Sequence, residues 1–378
     1  MANIVGANMR NYKIIRKNQF ACSIMQVRRD GKMPVALLQK FDEAIISQAY
    51  PVFEVKDENK LLPEYLMMWF SRPEFDREAC FYAVGGVRGS LEWEDFCNMK
   101  LPVPSIETQR AIVEEYNTVK NRIALNNQLI QKLEETAQAI YKQWFVDFEF
   151  PDENGKPYKS SGGKMVFNEE LEKEIPEGWE VNELENVLEE IISHRGKSKA
   201  LMDLYDIKRG ENIFPVISAM NVNNGRIVKK ESIKYTNANN YENWMIDPLL
   251  QGDLIMTSEA PMGELLYLAN YSDFIISQRL FALRANKQKI SSLLLYYWLK
   301  GADAKGDMEG RASGTTVLGI KLTELRKVIV LVPKTMLQSD FESLIYPMRN
   351  FIEIIMDEIN LLEEKLNLLL SKVAIIEN

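Results

Sequence analysis

Two segments of the chain carry apolar residues at spacings that alternate between four and three residues. The first alternation runs from Ile112 to Trp144 and the second from Phe341 to Ile376. Because a seven-residue repeat keeps one stripe of a helix facing a partner, each segment predicts a long coiled-coil helix. The stripe positions are Ile112, Tyr116, Val119, Ile123, Asn126, Ile130, Leu133, Ala137, Ile140 and Trp144, and then Phe341, Ile345, Met348, Ile352, Ile355, Ile359, Leu362, Leu366, Leu369, Val373 and Ile376.

These two helices are expected to pair with each other in an antiparallel coiled coil within one chain, because they match in length and a long connection separates them. A coiled coil between two chains is the alternative. Asn126 is the polar residue of the first stripe, where it either fixes the register as a buried amide or meets water at a frayed position. Pro347 lies between stripe positions and is expected to bend the second helix near its start.

Short stretches outside the stripes recur about 229 residues later in the chain. Ile45-Ile46-Ser47-Gln48 returns as Ile275-Ile276-Ser277-Gln278, Leu66-Met67-Met68-Trp69 as Leu295-Tyr296-Tyr297-Trp298, Leu101-Pro102-Val103-Pro104 as Val330-Leu331-Val332-Pro333, and Gln109 as Gln338 where each helix begins. A duplicated globular unit followed by a helix predicts two similar sites related by pseudo-symmetry. Trp69 and Trp298 sit in apolar helical surroundings and are expected in the core.

The predicted fold class is α+β, with two α/β domains separated by two long helices. β-like runs at 214–217, 253–257 and 274–283 and a helix near 291–300 support this class. The first domain is expected to be incomplete, because it is about 105 residues long against about 155 and lacks a counterpart of Pro176-Glu177-Gly178-Trp179. The predicted boundaries are 1–105 for the first domain, 106–150 for the central helix, 151–175 for a linker, 176–334 for the second domain and 335–378 for the C-terminal helix.

Charge is distributed unevenly along the chain. The net charge of −8 disfavours a polyanionic ligand, yet residues 1–40 carry eight Lys/Arg against one acid and residues 195–234 carry nine against four. A basic island in each repeat favours nucleic-acid binding, and solvated surface patches are the alternative. No apolar run approaches the ~18 residues of a membrane span, no apolar export signal is present, and the three cysteines lack ligand spacing. A cytoplasmic protein with reduced thiols and no membrane association is therefore expected.

Several residues offer the groups with which proteins contact DNA. The Gly-rich stretches 85–90 and 310–316 combine arginine, hydroxyls and unobstructed backbone amides, which suit contacts to phosphates and bases; ordinary turns are the alternative. A β-like run ending in a turn at Asp30-Gly31 and a loop early in the second domain add further cations. The candidate DNA-binding residues are Arg28, Arg29, Arg88, Ser90, Lys197, Lys199, Lys208, Arg209, Arg311, Ser313 and Thr315.

The sequence lacks the motifs of catalysis expected for a DNA-modifying or ATP-driven enzyme. It has neither the Asn/Asp-Pro-Pro-aromatic signature of amino-methyltransferases nor a Gly-x-x-x-x-Gly-Lys-Ser/Thr phosphate loop. The single histidine, His194, has no partner for catalysis and is expected to be a loop residue near phosphate.

The junctions between domains and helices resemble those of the specificity subunits of type I restriction–modification systems. The residues that carry the resemblance are Pro102-Val103-Pro104-Ser105-Ile106-Glu107-Thr108-Gln109-Arg110-Ala111-Ile112-Val113 at the entry to the first helix, Leu129-Ile130-Gln131-Lys132-Leu133-Glu134 and Tyr141-Lys142-Gln143-Trp144-Phe145-Val146-Asp147-Phe148 at its exit, and Ile175-Pro176-Glu177-Gly178-Trp179-Glu180 at the start of the second domain.

This resemblance implies that the two domains are target recognition domains, each reading one half of a split double-stranded DNA target. It implies that the helices set the gap between the halves and dock two modification (methyltransferase) subunits, with restriction (motor) subunits joining the complex. The chain itself would be no enzyme and bind no cofactor, with S-adenosylmethionine, ATP and Mg²⁺ on partner subunits. The alternative is a coiled-coil adaptor, or a truncated variant that reads no DNA and only assembles with partners.

Overall fold

A computed structural model describes residues 12–86, 89–194, 201, 207 and 212–373 of the chain. The chain forms two compact units. The first unit comprises Met1–Leu129 and Ile355–Asn378, and the second comprises Ile130–Ile354. The domain boundaries expected from the sequence stay predictions.

The first unit combines small antiparallel sheets with short helices. Strand β1 (Tyr12–Arg16) pairs with β4 (Glu43–Ser47), and β2 (Gln19–Cys22) lies between β3 (Val35–Leu37) and β5 (Val52–Glu54). The helices are α1 (Val27–Asp30), α2 (Pro63–Phe70), α3 (Pro73–Tyr82), α4 (Trp93–Asn98) and the start of α5 (Ile106–Tyr141). Their apolar faces form one core, in which buried Tyr65 and Phe75 belong to the same cluster as Leu370 and Val373 near the C-terminus.

The second unit contains the larger sheets. Its central sheet has the strand order β15-β14-β17-β9, a second sheet has the order β13-β10-β16, and three pairs are β18-β8, β11-β12 and β6-β7. The strands are β6 (Met165–Asn168), β7 (Lys173–Pro176), β8 (Glu180–Glu183), β9 (Leu188–Ser193), β10 (Ile213–Ile217), β11 (Val222–Asn223), β12 (Arg226–Ile227), β13 (Lys234–Asn237), β14 (Leu254–Thr257), β15 (Leu265–Tyr267), β16 (Ile275–Ile276), β17 (Leu280–Ala285) and β18 (Ile329–Val332). The helices are α6 (Leu184–Val187), α7 (Ala238–Trp244), α8 (Ser292–Lys300), α9 (Ala302–Arg311), α10 (Leu322–Leu325) and the start of α11 (Thr335–Lys372).

Within each unit, the parts of α5 and α11 that it contains run antiparallel. In the first unit Glu115 Oε1 lies 3.1 Å from Lys365 Nζ, and further along α5 Arg122 Nε lies 2.8 Å from Glu358 Oε1. Residue numbers therefore rise along α5 while those of the facing residues in α11 fall. The described stripe residues are buried or half-buried, and Ile376 lies outside the described residues. The predicted antiparallel pairing within one chain is confirmed.

The second unit shows the same pairing at the other ends of the helices. The ring of Trp144, in the π-helical turn Lys142–Val146 that follows α5, lies 6.1 Å from the ring of Phe341 near the start of α11. Arg349 is 1% exposed and forms an ion pair with Glu134 of α5. Pro347 lies inside α11, which continues past it.

The internal repeat of the sequence is also a repeat of structure. Four pairs of helices begin at positions separated by the same number of residues as Gln109 and Gln338. The pairs are α2 and α8, α3 and α9, α4 and α10, and α5 and α11. A buried glutamine explains part of this recurrence. The side chain of Gln109 accepts from Leu62 N–H (2.9 Å) and donates to the carbonyls of Lys60 and Pro104 (2.8 Å each).

Gln338 makes the same three contacts at equivalent positions in the second unit. It accepts from Ser291 N–H (2.9 Å) and donates to the carbonyls of Lys289 (3.0 Å) and Pro333 (2.8 Å). Gln109 is 0% and Gln338 5% exposed, so both amides are shielded from water. In each unit the glutamine therefore fastens the first turn of the long helix to the segment that precedes α2 or α8.

The structure agrees with some of the local expectations and differs from others. The runs at 214–217 and 253–257 are confirmed as β10 and β14, whereas 274–283 is interrupted by a turn between β16 and β17. The strand expected around Arg28 and Arg29 is wrong, because these residues form the short helix α1, which ends at Gly31 with φ +65°. Asn126 is 2% exposed, so the frayed alternative is wrong. Trp69 and Trp298 are core residues as predicted, and the three cysteines are free.

Candidate nucleic-acid interface

In the first unit, the Gly-rich loop lies directly after α3 and is closed by a small antiparallel bridge. We call residues 84–86 and 89–90 the first loop. Val84 and Ser90 exchange both backbone hydrogen bonds, at 2.9 and 3.0 Å, and Gly85 has a φ of +100°. The amide of Leu91 donates to the carbonyl of Ile24 at 2.9 Å, which joins this loop to the segment that leads into α1.

Arg28 holds the first loop in place. Its backbone N–H donates to Gly89 O at 3.1 Å, while its guanidinium donates to Ala83 O (2.6 Å) and Gly85 O (3.2 Å). A Cβ on Gly89 would stand 3.2 Å from the Cβ of Arg28, so the close approach favours glycine. Ser90 Oγ accepts from Gln26 N–H at 3.3 Å. The structure thus brings Arg28 and Ser90 together and gives Arg28 a supporting role in the loop.

Arg29 lies on the exposed side of α1. Its guanidinium binds Asp30 through two hydrogen bonds of 2.7 and 3.2 Å. The hydrogen bond from Arg29 lowers the pKa of Asp30, and the same bond raises the pKa of Arg29. Since an exposed ion pair contributes little to stability, Arg29 can exchange its carboxylate partner for a phosphate at small cost.

A second loop occupies the equivalent place in the second unit. We call residues 313–319 the second loop. Ser313 and Gly319 exchange backbone hydrogen bonds of 2.9 and 3.1 Å, and the repeat places them at the positions equivalent to Val84 and Ser90. Gly314, with φ +131°, corresponds to Gly85, and a Cβ there would overlap Val317 O. Ser313 and Thr315 are exposed in this loop.

Arg311 is not part of the second loop, so the expectation that it lies in a Gly-rich loop is wrong, whereas its contact with DNA stays a prediction. It is the last residue of α9, and its Nε lies 2.6 Å from Asp307 Oδ1. The other oxygen of Asp307 accepts from Ile329 N–H at 2.8 Å, which ties the pair into the fold. The side chain of Arg311 is 26% exposed. The position equivalent to Arg311 in the first unit is Tyr82 rather than Arg88, because Tyr82 ends α3 as Arg311 ends α9.

Sequence reasoning missed an exposed ion pair beside the second loop. Arg279 Nε lies 2.8 Å from Glu259 Oε1, with 56% of the arginine and 30% of the glutamate side chain exposed. Glu259 forms a backbone bridge with Gly319, so the pair and the loop are neighbours. A signal was available, since Arg279 directly follows the recurring Ile275-Ile276-Ser277-Gln278.

His194 is a structural residue of the second unit. It is 3% exposed, and its Nδ1 lies 2.9 Å from the carbonyl oxygen of Ile276. His194 follows β9 in a loop, as expected, but its burial argues against contact with a phosphate. Five of the candidate residues lie outside the described part of the chain, namely Arg88, Lys197, Lys199, Lys208 and Arg209.

The described residues include no cluster of His, Cys, Asp or Glu suited to a metal ion. Among the helices in the described ranges, none is long and apolar enough to cross a membrane. Each unit instead presents a short loop that is closed by backbone hydrogen bonds. The first loop is held by Arg28 and ends at Ser90, whereas the second exposes the hydroxyls of Ser313 and Thr315 and lies beside Arg279. Groups of this kind contact phosphates and base edges in protein–DNA interfaces.

Comparison with known proteins supplies the family. The profile of the type I restriction modification DNA specificity domain matches residues 7–135 and 176–364. The specificity subunit of the type I restriction enzyme MjaIX from Methanocaldococcus jannaschii is 30% identical over 128 residues, covering 34% of this chain and 28% of that protein. A putative specificity subunit, MjaX, from the same organism is 24% identical over 284 residues, covering 73% of this chain and 59% of that protein.

The type I restriction–modification S subunit from M. genitalium has a similar fold. The match has a TM-score of 0.55 at 15% sequence identity and covers 97% of this chain and 85% of the other. This chain spans less than two thirds of the length of the curated relatives. The family profile nevertheless matches more than half of the chain, in two segments that fall on the two copies of the repeat. The chain belongs to the type I restriction–modification DNA specificity family.

Proposed function

We propose that this chain recognises DNA for a type I restriction–modification complex and that each unit reads one half of a split double-stranded target. The observation that carries the proposal is the equivalence of the two loops. Each is closed by a backbone bridge at equivalent positions of the repeat and is fastened to a neighbouring segment of its own unit. Two equivalent presenting loops suit a target with two parts.

Within each loop region the groups have different tasks. Arg29 is suited to a phosphate, because its charge is exposed and water screens its ion pair with Asp30. Ser313 and Thr315 offer hydroxyls that can serve a phosphate or a base edge. Arg28 and Ser90 hold the first loop in shape through their hydrogen bonds to backbone atoms. The sequence alone supports DNA contacts by six further residues, Arg88, Lys197, Lys199, Lys208, Arg209 and Arg311.

In this proposal the chain makes and breaks no covalent bond. Two modification subunits methylate the DNA and restriction subunits move and cut it, and S-adenosylmethionine, ATP and Mg²⁺ are bound by these partners. The complex acts in the cytoplasm. Because the chain carries a net charge of −8, its long-range attraction to DNA is weak, and docked partners add the phosphate contacts that complete binding.

The proposal is tested by mapping methylated bases in the DNA of cells that express the chain with its modification subunit. The expected result is methylation at a motif of two short specific halves separated by an unspecific gap. Methylation without a sequence motif would contradict DNA reading and favour the adaptor role. Purified chain alone should bind a duplex of that motif more weakly than the assembled complex does.

A phosphate role for Arg29 is tested with matched arginine variants of the first unit. Arg29→Gln should weaken binding to all sequences alike and reduce the slope of log affinity against log salt by about one. Arg16→Gln is the control, because Arg16 is also an exposed arginine paired with a carboxylate, at 3.2 Å from Glu43. Equal salt slopes for the two variants would rule out the phosphate contact.

A further inference from the structure

The end of the central sheet in the second unit is a rigid frame for two charged side chains. β14 ends at Thr257 opposite Leu280, the first residue of β17. Beyond the strands, Ser258 donates through its backbone N–H (2.9 Å) and its Oγ (3.1 Å) to the carbonyl of Arg279. Thr257 Oγ1 accepts from Glu264 N–H at 2.9 Å, which closes the turn after β14. Thr257 and Ser258 are 0% and 3% exposed, so the positions of Glu259 and Arg279 are fixed from within.

The ion pair between Arg279 and Glu259 contributes little to the stability of the fold. With 56% of its side chain in solvent, Arg279 gains little stability for the fold from its pair with Glu259, because water screens exposed charges. Arg284, five residues later and within β17, differs from Arg279. Arg284 is 14% exposed and holds Asp253 through two hydrogen bonds of 3.0 and 2.8 Å. Arg279 is therefore presented outward, whereas Arg284 is built into the interior.

The second loop is held directly against this pair. Its residue Gly319 forms the bridge with Glu259, and a Cβ at Gly319 would stand 3.0 Å from the Cβ of Glu259 and 3.1 Å from Ser258 O. The absence of a side chain at this position allows the close approach. The loop carries two apolar side chains in solvent, Val317 at 50% and Leu318 at 58% exposure.

These groups together match the chemistry of the DNA major groove. A guanidinium reads guanine by donating to O6 and N7, and apolar side chains contact the methyl group of thymine. The ion pair of 2.8 Å between Glu259 Oε1 and Arg279 Nε favours positions of the guanidinium near the carboxylate, which reduces the entropy lost on binding. We infer that Arg279, oriented by Glu259, reads a guanine in the half-site bound by the second unit. This inference rests on the proposed function.

The test is a binding selection from a randomised duplex library, with the full-length chain assembled with its modification subunit. Arg279→Gln should lose the preference for guanine at one position of one half-site, by about 5- to 150-fold, and keep the other positions. Arg279→Lys keeps the charge but lacks the planar fork, so it should lose the same preference. Glu259→Gln should weaken discrimination at that same position. The matched control is Arg326→Gln, since Arg326 forms an exposed pair with Glu185 in the same unit at 3.3 Å.

The outcomes separate the inference from the function on which it rests. An Arg279→Gln or Arg279→Lys complex with the wild-type sequence profile would overturn the guanine assignment while leaving DNA recognition intact. A uniform loss of affinity for all sequences in Arg279→Gln would identify a phosphate contact and overturn it too. If the wild-type complex selected no sequence at all, the proposed function would fail, and the assignment with it.

Discussion

Replacing Gln338 by leucine should destabilise the second unit by removing the joint between α11 and the segment before α8. Leucine fills a similar volume, so the change leaves no large cavity. It does remove the three hydrogen bonds to Ser291 N–H, Lys289 O and Pro333 O. A buried polar group without a partner costs about 1–3 kcal/mol. Since Ser291 and Lys289 are partly open to water, we expect a total loss of about 2–4 kcal/mol.

Hydrogen exchange measured by mass spectrometry on peptides locates the effect. In Gln338→Leu the amide of Ser291 loses its acceptor, so peptides spanning it should exchange faster, while those around Leu62 in the first unit keep their protection. Gln109→Leu should show the reverse. The matched control is Gln288→Leu, because Gln288 is exposed in the same unit and its replacement should change stability by about 0.5 kcal/mol or less. If Gln338→Leu behaved like Gln288→Leu in urea denaturation, the joint would have no energetic role.

Three further predictions concern burial and charge. Arg349→Met leaves Glu134 without its buried partner and should cost about 3–5 kcal/mol in urea denaturation, and a cost below about 1 kcal/mol would contradict the buried pair. Burial raises the pKa of the Cys22 thiol to about 12, whereas Cys97 is exposed. Iodoacetamide at pH 8 should therefore label Cys97 in the native chain and Cys22 only in denaturant. Equal labelling of both thiols in the native chain would refute this. Burial also raises the pKa of Tyr267 from 10.0 to about 12, so the folded state holds this proton more tightly than the unfolded chain does. Stability should therefore fall as the pH rises from about 10 through 12, and Tyr267→Phe should reduce that fall; an unchanged pH dependence would exclude Tyr267 as its source.

The long helices could be predicted because their signal is local and regular. A residue such as Ile130 or Phe341 reveals its buried position through the spacing of its neighbours, and antiparallel pairing follows from the match of two stripes. The recurrence of Gln109 and Gln338 was visible in the sequence. Its cause was not, because the partners of each glutamine include backbone atoms 47 and 49 residues away.

The loop regions could be predicted only in part. Arg28 looks like a DNA-binding cation in the sequence, yet it donates to Ala83 O, 55 residues away, and a pattern read along the chain cannot reveal such a contact. Arg311 was assigned to the wrong element, because glycines at 310 and 314 make the end of α9 resemble the loop that follows. The pair of Glu259 and Arg279 forms only when β14 and β17 lie side by side. A pattern along one segment of the sequence cannot show which residues of another segment the sheet brings beside it.

The glutamine joints have a consequence for how proteins of this kind can change. Both amides bind main-chain atoms only, so neither joint depends on which side chains the adjoining globular segment carries. A recombination event that exchanges one globular segment for another therefore preserves the joint, provided that the new backbone follows the same path to α2 or α8. The surface of each unit can diverge quickly while its connection to the helix stays constant. A chain that combines globular segments of different origin can therefore keep the same attachment of each segment to its long helix.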